Sequence, residues 1–74
     1  MTWEELKEES KKIGATIYIS PYGDGFERID FNDMSFFQGG CVSVGTYNNG
    51  IYLMANIATD RNNDQMLAIM KALQ

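Results

Sequence analysis

The stretch CVSVGTYNNGIYLMANI, Cys41 to Ile57, decides the fold. Two runs that alternate with period two flank Asn48-Asn49-Gly50. An Asn-Gly pair between such runs is the strongest short hairpin signal, because a type I′ turn needs positive φ at both central residues. With Asn49-Gly50 as the turn, Asn48 pairs with Ile51, Tyr47 with Tyr52, Thr46 with Leu53, Val44 with Ala55 and Val42 with Ile57. One face then carries Val42, Val44, Thr46, Ile51, Leu53, Ala55 and Ile57, and is expected to lie on the core. The other carries Cys41, Ser43, Gly45, Tyr47, Tyr52, Met54 and Asn56, with Gly45 expected to leave a notch opposite Met54. A slip of one residue would exchange the two faces, so the alternation of both runs fixes the register.

The same stretch imitates a phosphate-binding loop, since Gly40 and Gly45 are separated by four residues. Thr46 stands where such a loop places lysine, and the loop should follow a strand and open a helix. Here a strand leads into a hairpin turn, so the strand reading stands. Cys41 is the only cysteine, and the chain has no histidine to activate it. It reads as a small apolar residue at the start of a strand.

Before the hairpin, ATIYIS (Ala15 to Ser20) alternates as a half-buried strand, with Ala15, Ile17 and Ile19 on one side. SPYGDG (Ser20 to Gly25) holds the only proline and two glycines and reads as a turn. FERIDF (Phe26 to Phe31) alternates again, with Ile29 and Phe31 inward and Arg28 and Asp30 outward; Asn32-Asp33 interrupts it as a turn or bulge before MSFF. At the N-terminus Thr2 and Glu5 form a capping box, Trp3, Leu6, Ser10 and Ile13 make an apolar stripe, and Gly14 ends the helix. TDRNNDQMLAIMKALQ (Thr59 to Gln74) is a second helix with Asp and Asn candidates for its N-cap and Met66, Leu67, Ile69, Met70 and Leu73 on its buried side. The expectation is one α+β domain over residues 1–74, ordered α-β-β-β-β-α: a four-stranded, mainly antiparallel sheet with both helices on one face.

Composition narrows the function classes. A net charge of −4, with six Lys and Arg against ten Asp and Glu, opposes nucleic acid and anionic membranes as partners. One cysteine cannot form an intramolecular disulfide, and the opening MTWEELKEES is an acidic amphipathic helix rather than a signal peptide, so a reducing cytoplasm is expected. No cofactor or metal is expected, because one cysteine and no histidine supply too few soft ligands. Asp60, Asn62 and Asp64 imitate half of a calcium loop, but Gln65 stands at its glycine position and Lys71 at its final glutamate, so helix capping explains them. Asp24, Glu27, Asp30 and Asp33 could serve acid–base catalysis only if they converged, and on a strand Glu27 and Asp30 point to opposite faces.

The face away from the helices gathers Tyr18, Arg28, Ser43, Tyr47, Tyr52, Met54 and Asn56. Tyrosine presents apolar area and a hydroxyl at low entropic cost and is enriched in interfaces. Cross-strand tyrosine pairs also stabilise a merely solvated sheet. The sequence therefore points to an interaction protein, not an enzyme, that binds a protein partner through this face. A structural homodimer is the main alternative, and an enzyme using carboxylates or Cys41 the remaining one.

Overall fold

The computed structural model describes residues 1–74, side chains excepted at Thr46, Tyr47 and Asn48. Its elements are α1 (Trp3–Lys12), β1 (Thr16–Ile19), β2 (Glu27–Phe31), β3 (Met34–Phe37), β4 (Val42–Asn48), β5 (Ile51–Ala58) and α2 (Asn63–Ala72). The sheet is antiparallel throughout, in the order β1-β2-β3-β4-β5. The α+β architecture with terminal helices is as expected, but there are five strands, not four. Asn32 takes a positive φ of 53°, so Asn32-Asp33 makes a complete reversal between Phe31 and its partner Met34. What read as an interruption within one strand is a second tight hairpin, because asparagine tolerates the left-handed region that the turn demands.

Both helices start as their sequences specify. Thr2 Oγ1 accepts from the Glu5 amide at 3.1 Å while the Glu5 carboxylate accepts from the Thr2 amide at 2.9 Å. Asn62 and Gln65 repeat this reciprocal cap on α2. Gly14, at φ 95°, carries the chain out of α1.

The core lies between the helices and one face of the sheet. Trp3 and Leu6 of α1 and Met66, Leu67 and Met70 of α2 close over Ile29, Phe36 and Val42. Ile29 pairs with Phe36, and Phe36 with Val42, so this row crosses three adjacent strands. Burying Phe36 or Ile29 in full contributes about 1.5–3 kcal/mol each. Lys7 is also buried on this side: its ammonium meets the Glu27 carboxylate at 2.6 Å, and the Trp3 indole N–H donates to the same oxygen at 3.1 Å.

The hairpin register is as the alternation requires from Asn48–Ile51 through Val44–Ala55, with Asn49 and Gly50 at φ 51° and 80°. At its root the expectation fails. Val42 pairs with Ala58 rather than Ile57, because a bulge between Val42 and Ser43 inserts one residue into β5. The larger correction concerns the face expected to be core. Val42 is fully buried, but Val44, Ile51, Leu53 and Ile57 are 39%, 63%, 47% and 56% exposed. β3 pairs with β4 only over Val42–Val44, so the seven- and eight-residue strands of the hairpin outrun the sheet and its helices. Among the described residues no helix is long and apolar enough to cross a membrane.

Candidate functional site

The sheet face opposite the helices is built by simple alternation. Tyr18 on β1 pairs with Arg28 on β2, and Asp30, two residues along β2, pairs with Ser35 on β3. These side chains share one face and come into contact. The Arg28 guanidinium sits 4.3 Å above the centre of the Tyr18 ring, an attraction worth about 0.5–1 kcal/mol at an exposed site. Its Nε donates to both oxygens of Asp30, at 2.9 and 3.0 Å, and the Ser35 hydroxyl donates to Asp30 Oδ1 at 2.9 Å. Arg28 is thereby held against Tyr18, while Asp30 accepts from both Arg28 and Ser35. Phe26 continues the row, edge-on to Tyr18 at 6.1 Å and tilted against Phe37 at 5.9 Å.

At the other side, Tyr52 reaches diagonally across the hairpin and lies over Gly45. A Cβ at Gly45 would collide with the Tyr52 ring and hydroxyl. The notch expected opposite Met54 is therefore filled by tyrosine, a cross-strand aromatic covering a glycine that has no side chain of its own. Between the two tyrosines lies a depression of about 860 Å³, lined by Arg28, Asp30, Asp33, Ser35 and Gly45 among others. The backbone amide of Gly45 donates to the Asp33 carbonyl at 2.8 Å, which fixes the turn at its rim.

The expected surface residues thus separate into groups. Tyr18, Arg28 and Tyr52 surround the depression. Ser43 is fully buried and donates to Asn56 Oδ1 at 2.6 Å, so these two satisfy one another. Cys41, half-buried, lies 3.8 Å from the Ser43 hydroxyl and 3.5 Å from the same Asn56 oxygen. Met54 is exposed on β5. The side chain of Tyr47 lies outside the described residues. Phe26 and Phe37 were missed, although Phe26 is two residues before Arg28 and so on its face. Phe37 becomes legible only once the Asn32-Asp33 reversal sets it opposite Arg28.

The acidic run is dispersed. Asp24 Oδ1 accepts from the Phe26 amide at 3.0 Å; this bond, then one from Ser20, holds its carboxyl below the usual range. Glu27 faces the helices, where the Lys7 ammonium and then the Trp3 indole lower its pKa. Asp30 serves Arg28, and Asp33 forms no ion pair among the described residues. Among those residues no group of three or more acidic or cysteine side chains is placed to hold a metal ion. No protein-family model, curated protein or solved structure matches the chain.

Proposed function

We propose that this chain is a small cytoplasmic interaction protein, without catalytic activity, that receives an extended, basic segment of a protein partner in the depression between Tyr18 and Tyr52. One observation carries the reading: two tyrosines, an arginine held against Tyr18, and the carboxylate of Asp33, which no described cation meets, border one uncovered depression. The tyrosines supply apolar area with polar tips, and Asp33 supplies a charge for a lysine or arginine of the partner. The net charge of −4 favours a basic protein partner and disfavours nucleic acid or an anionic bilayer. Against catalysis, the carboxylates nearest the depression do not converge, and Asp30 is already occupied by Arg28 and Ser35.

A displayed library of random peptides, selected on the folded protein, tests this. The selected peptides are expected to carry Lys or Arg and to shift the amide resonances of Tyr18, Arg28, Asp33 and Tyr52. Asp33→Asn is expected to weaken the best of them severalfold while leaving the circular dichroism unchanged. Selection of peptides that shift only helix resonances, or failure to select any, would overturn the reading.

A further inference from the structure

β5 is an edge strand, with β4 on one side and no strand on the other. A two-residue turn makes Asn48 and Ile51 a hydrogen-bonded pair, and alternation then directs the backbone groups of Ile51, Leu53 and Ala55 toward β4. Those of Met54 and Asn56 point away from the sheet. Natural edges are blunted with lysine, proline or short length. This one has eight residues, no proline and no charge, and its bulge lies at the root opposite Val42, leaving Ile51 to Asn56 regular. The absence extends further, for no charged residue occurs anywhere between Asp33 and Asp60. In a chain of net charge −4, the uncharged hairpin lets a second copy approach without setting like charges on the two strands against each other.

We propose that β5 is a self-association edge, where two copies pair antiparallel about a two-fold axis through Met54. The register follows from the residues. With Met54 opposite the partner's Met54, Leu53 falls beside the partner's Ala55, and Ile51 reaches the partner's Ile57 at its bulge, so the row on the helix side is apolar. An axis perpendicular to the sheet keeps both helical layers on one side, and antiparallel pairing lays each projecting tip beside the other copy's root. Ile51 and Leu53, which their own helices do not reach, gain neighbours there. The same axis places the two tyrosine-bearing faces side by side on a ten-stranded sheet, twice the five strands of one copy. This inference stands independently of peptide binding between Tyr18 and Tyr52.

Sedimentation equilibrium tests it, over about 10 µM to 1 mM because a single strand pair is a small interface. The weight-average mass is expected to rise from 8.4 kDa toward twice that value. Met54→Lys sets like charges against each other on the axis and is expected to keep the mass at 8.4 kDa with unchanged circular dichroism. Hydrogen exchange on the unaltered chain covers the case in which that variant fails to fold. The Met54 and Asn56 amides are expected to slow with rising concentration, while those of Tyr18 and Arg28 do not. A constant 8.4 kDa at the highest concentration, dimerisation of folded Met54→Lys, or concentration-independent exchange at Met54 would each overturn the proposal.

Discussion

Val42 and Val44 stand two residues apart on β4, face the same side of the sheet, and live in different surroundings. Val42 is fully buried in the core cluster shared with both helices, while Val44 is 39% exposed. The residue type and alternation are the same; what differs is the layer above. Two helices of ten residues each are about 15 Å long. They cover Ile17 of β1, Ile29 of β2, Phe36 of β3 and Val42 at the root of β4, while Ile19 at the end of β1 is 63% exposed and the hairpin continues past them. The clad half also holds the ion pairs of the fold, whereas residues 34–59 carry no charge. The buried core thus lies under the helices, while Val44, Ile51, Leu53, Met54 and Ile57 stand exposed along the hairpin.

The sharpest way to break this contrast is to place a hydroxyl in each half. Val42→Thr puts an oxygen into a site with no solvent and is expected to cost about 1–3 kcal/mol. For a domain of this size each kcal/mol lowers the thermal midpoint by about 4–8 °C. Thermal unfolding followed by circular dichroism reads the effect. An unchanged midpoint would mean that the helices do not seal the root of the hairpin.

A smaller effect separates the halves by charge. Lys7 and Glu27 join α1 to β2, and each shifts the other away from its ordinary titration range. The Glu27 carboxyl, lowered by the Lys7 ammonium and then by the Trp3 indole, stabilises the fold above its unfolded value near 4.5. That contribution disappears as pH falls through the lower folded value. The Lys7 ammonium, raised by Glu27 and then Glu4, stabilises the fold below its unfolded value near 10.5. That contribution disappears as pH rises through the higher folded value. The stability difference between the unaltered chain and Lys7→Gln is therefore expected to be constant between those limits and to shrink on either side. Urea unfolding across pH measures it, and a difference that persists undiminished at pH 3 would show that Lys7 acts through packing of its stem alone.

Much of this arrangement was legible in the sequence, and the reasons are local. The first capping box and the Asn49-Gly50 turn are specified by neighbouring residues, so Thr2 and the central hairpin register could be read directly. The second helix offered several Asp and Asn caps, of which the fold uses Asn62. The fifth strand was hidden because Asn32 carries no glycine beside it, and a positive φ at asparagine has no unique signature. The bare face of the hairpin was hidden for a different reason. Alternation states which side chains share a face, not how far the covering layer extends. Tyr18 and Arg28 were legible as sharing a face, and the β1–β2 register then sets them opposite one another. The seating of Tyr52 on Gly45 is diagonal, and pairing alone does not place it.

The smallest expected effect is the most informative about the bare end. Val44→Thr makes the same chemical change as Val42→Thr, two residues along the strand, where solvent satisfies the new hydroxyl. Threonine fits a half-exposed strand as well as valine does. The expected change is within about 0.5 kcal/mol, the range of ordinary surface substitutions. Met34 and Ala55 flank Val44 on the neighbouring strands and leave its outer side open. Urea midpoints of both valine variants, compared at low and at high protein concentration, read the contrast. At low concentration the two should differ several-fold in cost. If Val44→Thr became costly only at high concentration, the bare face of the hairpin around Val44 would be covered by a second copy. A cost equal to that of Val42→Thr at every concentration would mean that the helical layer reaches Val44 after all, and the division of the sheet into a clad and a bare half would fail.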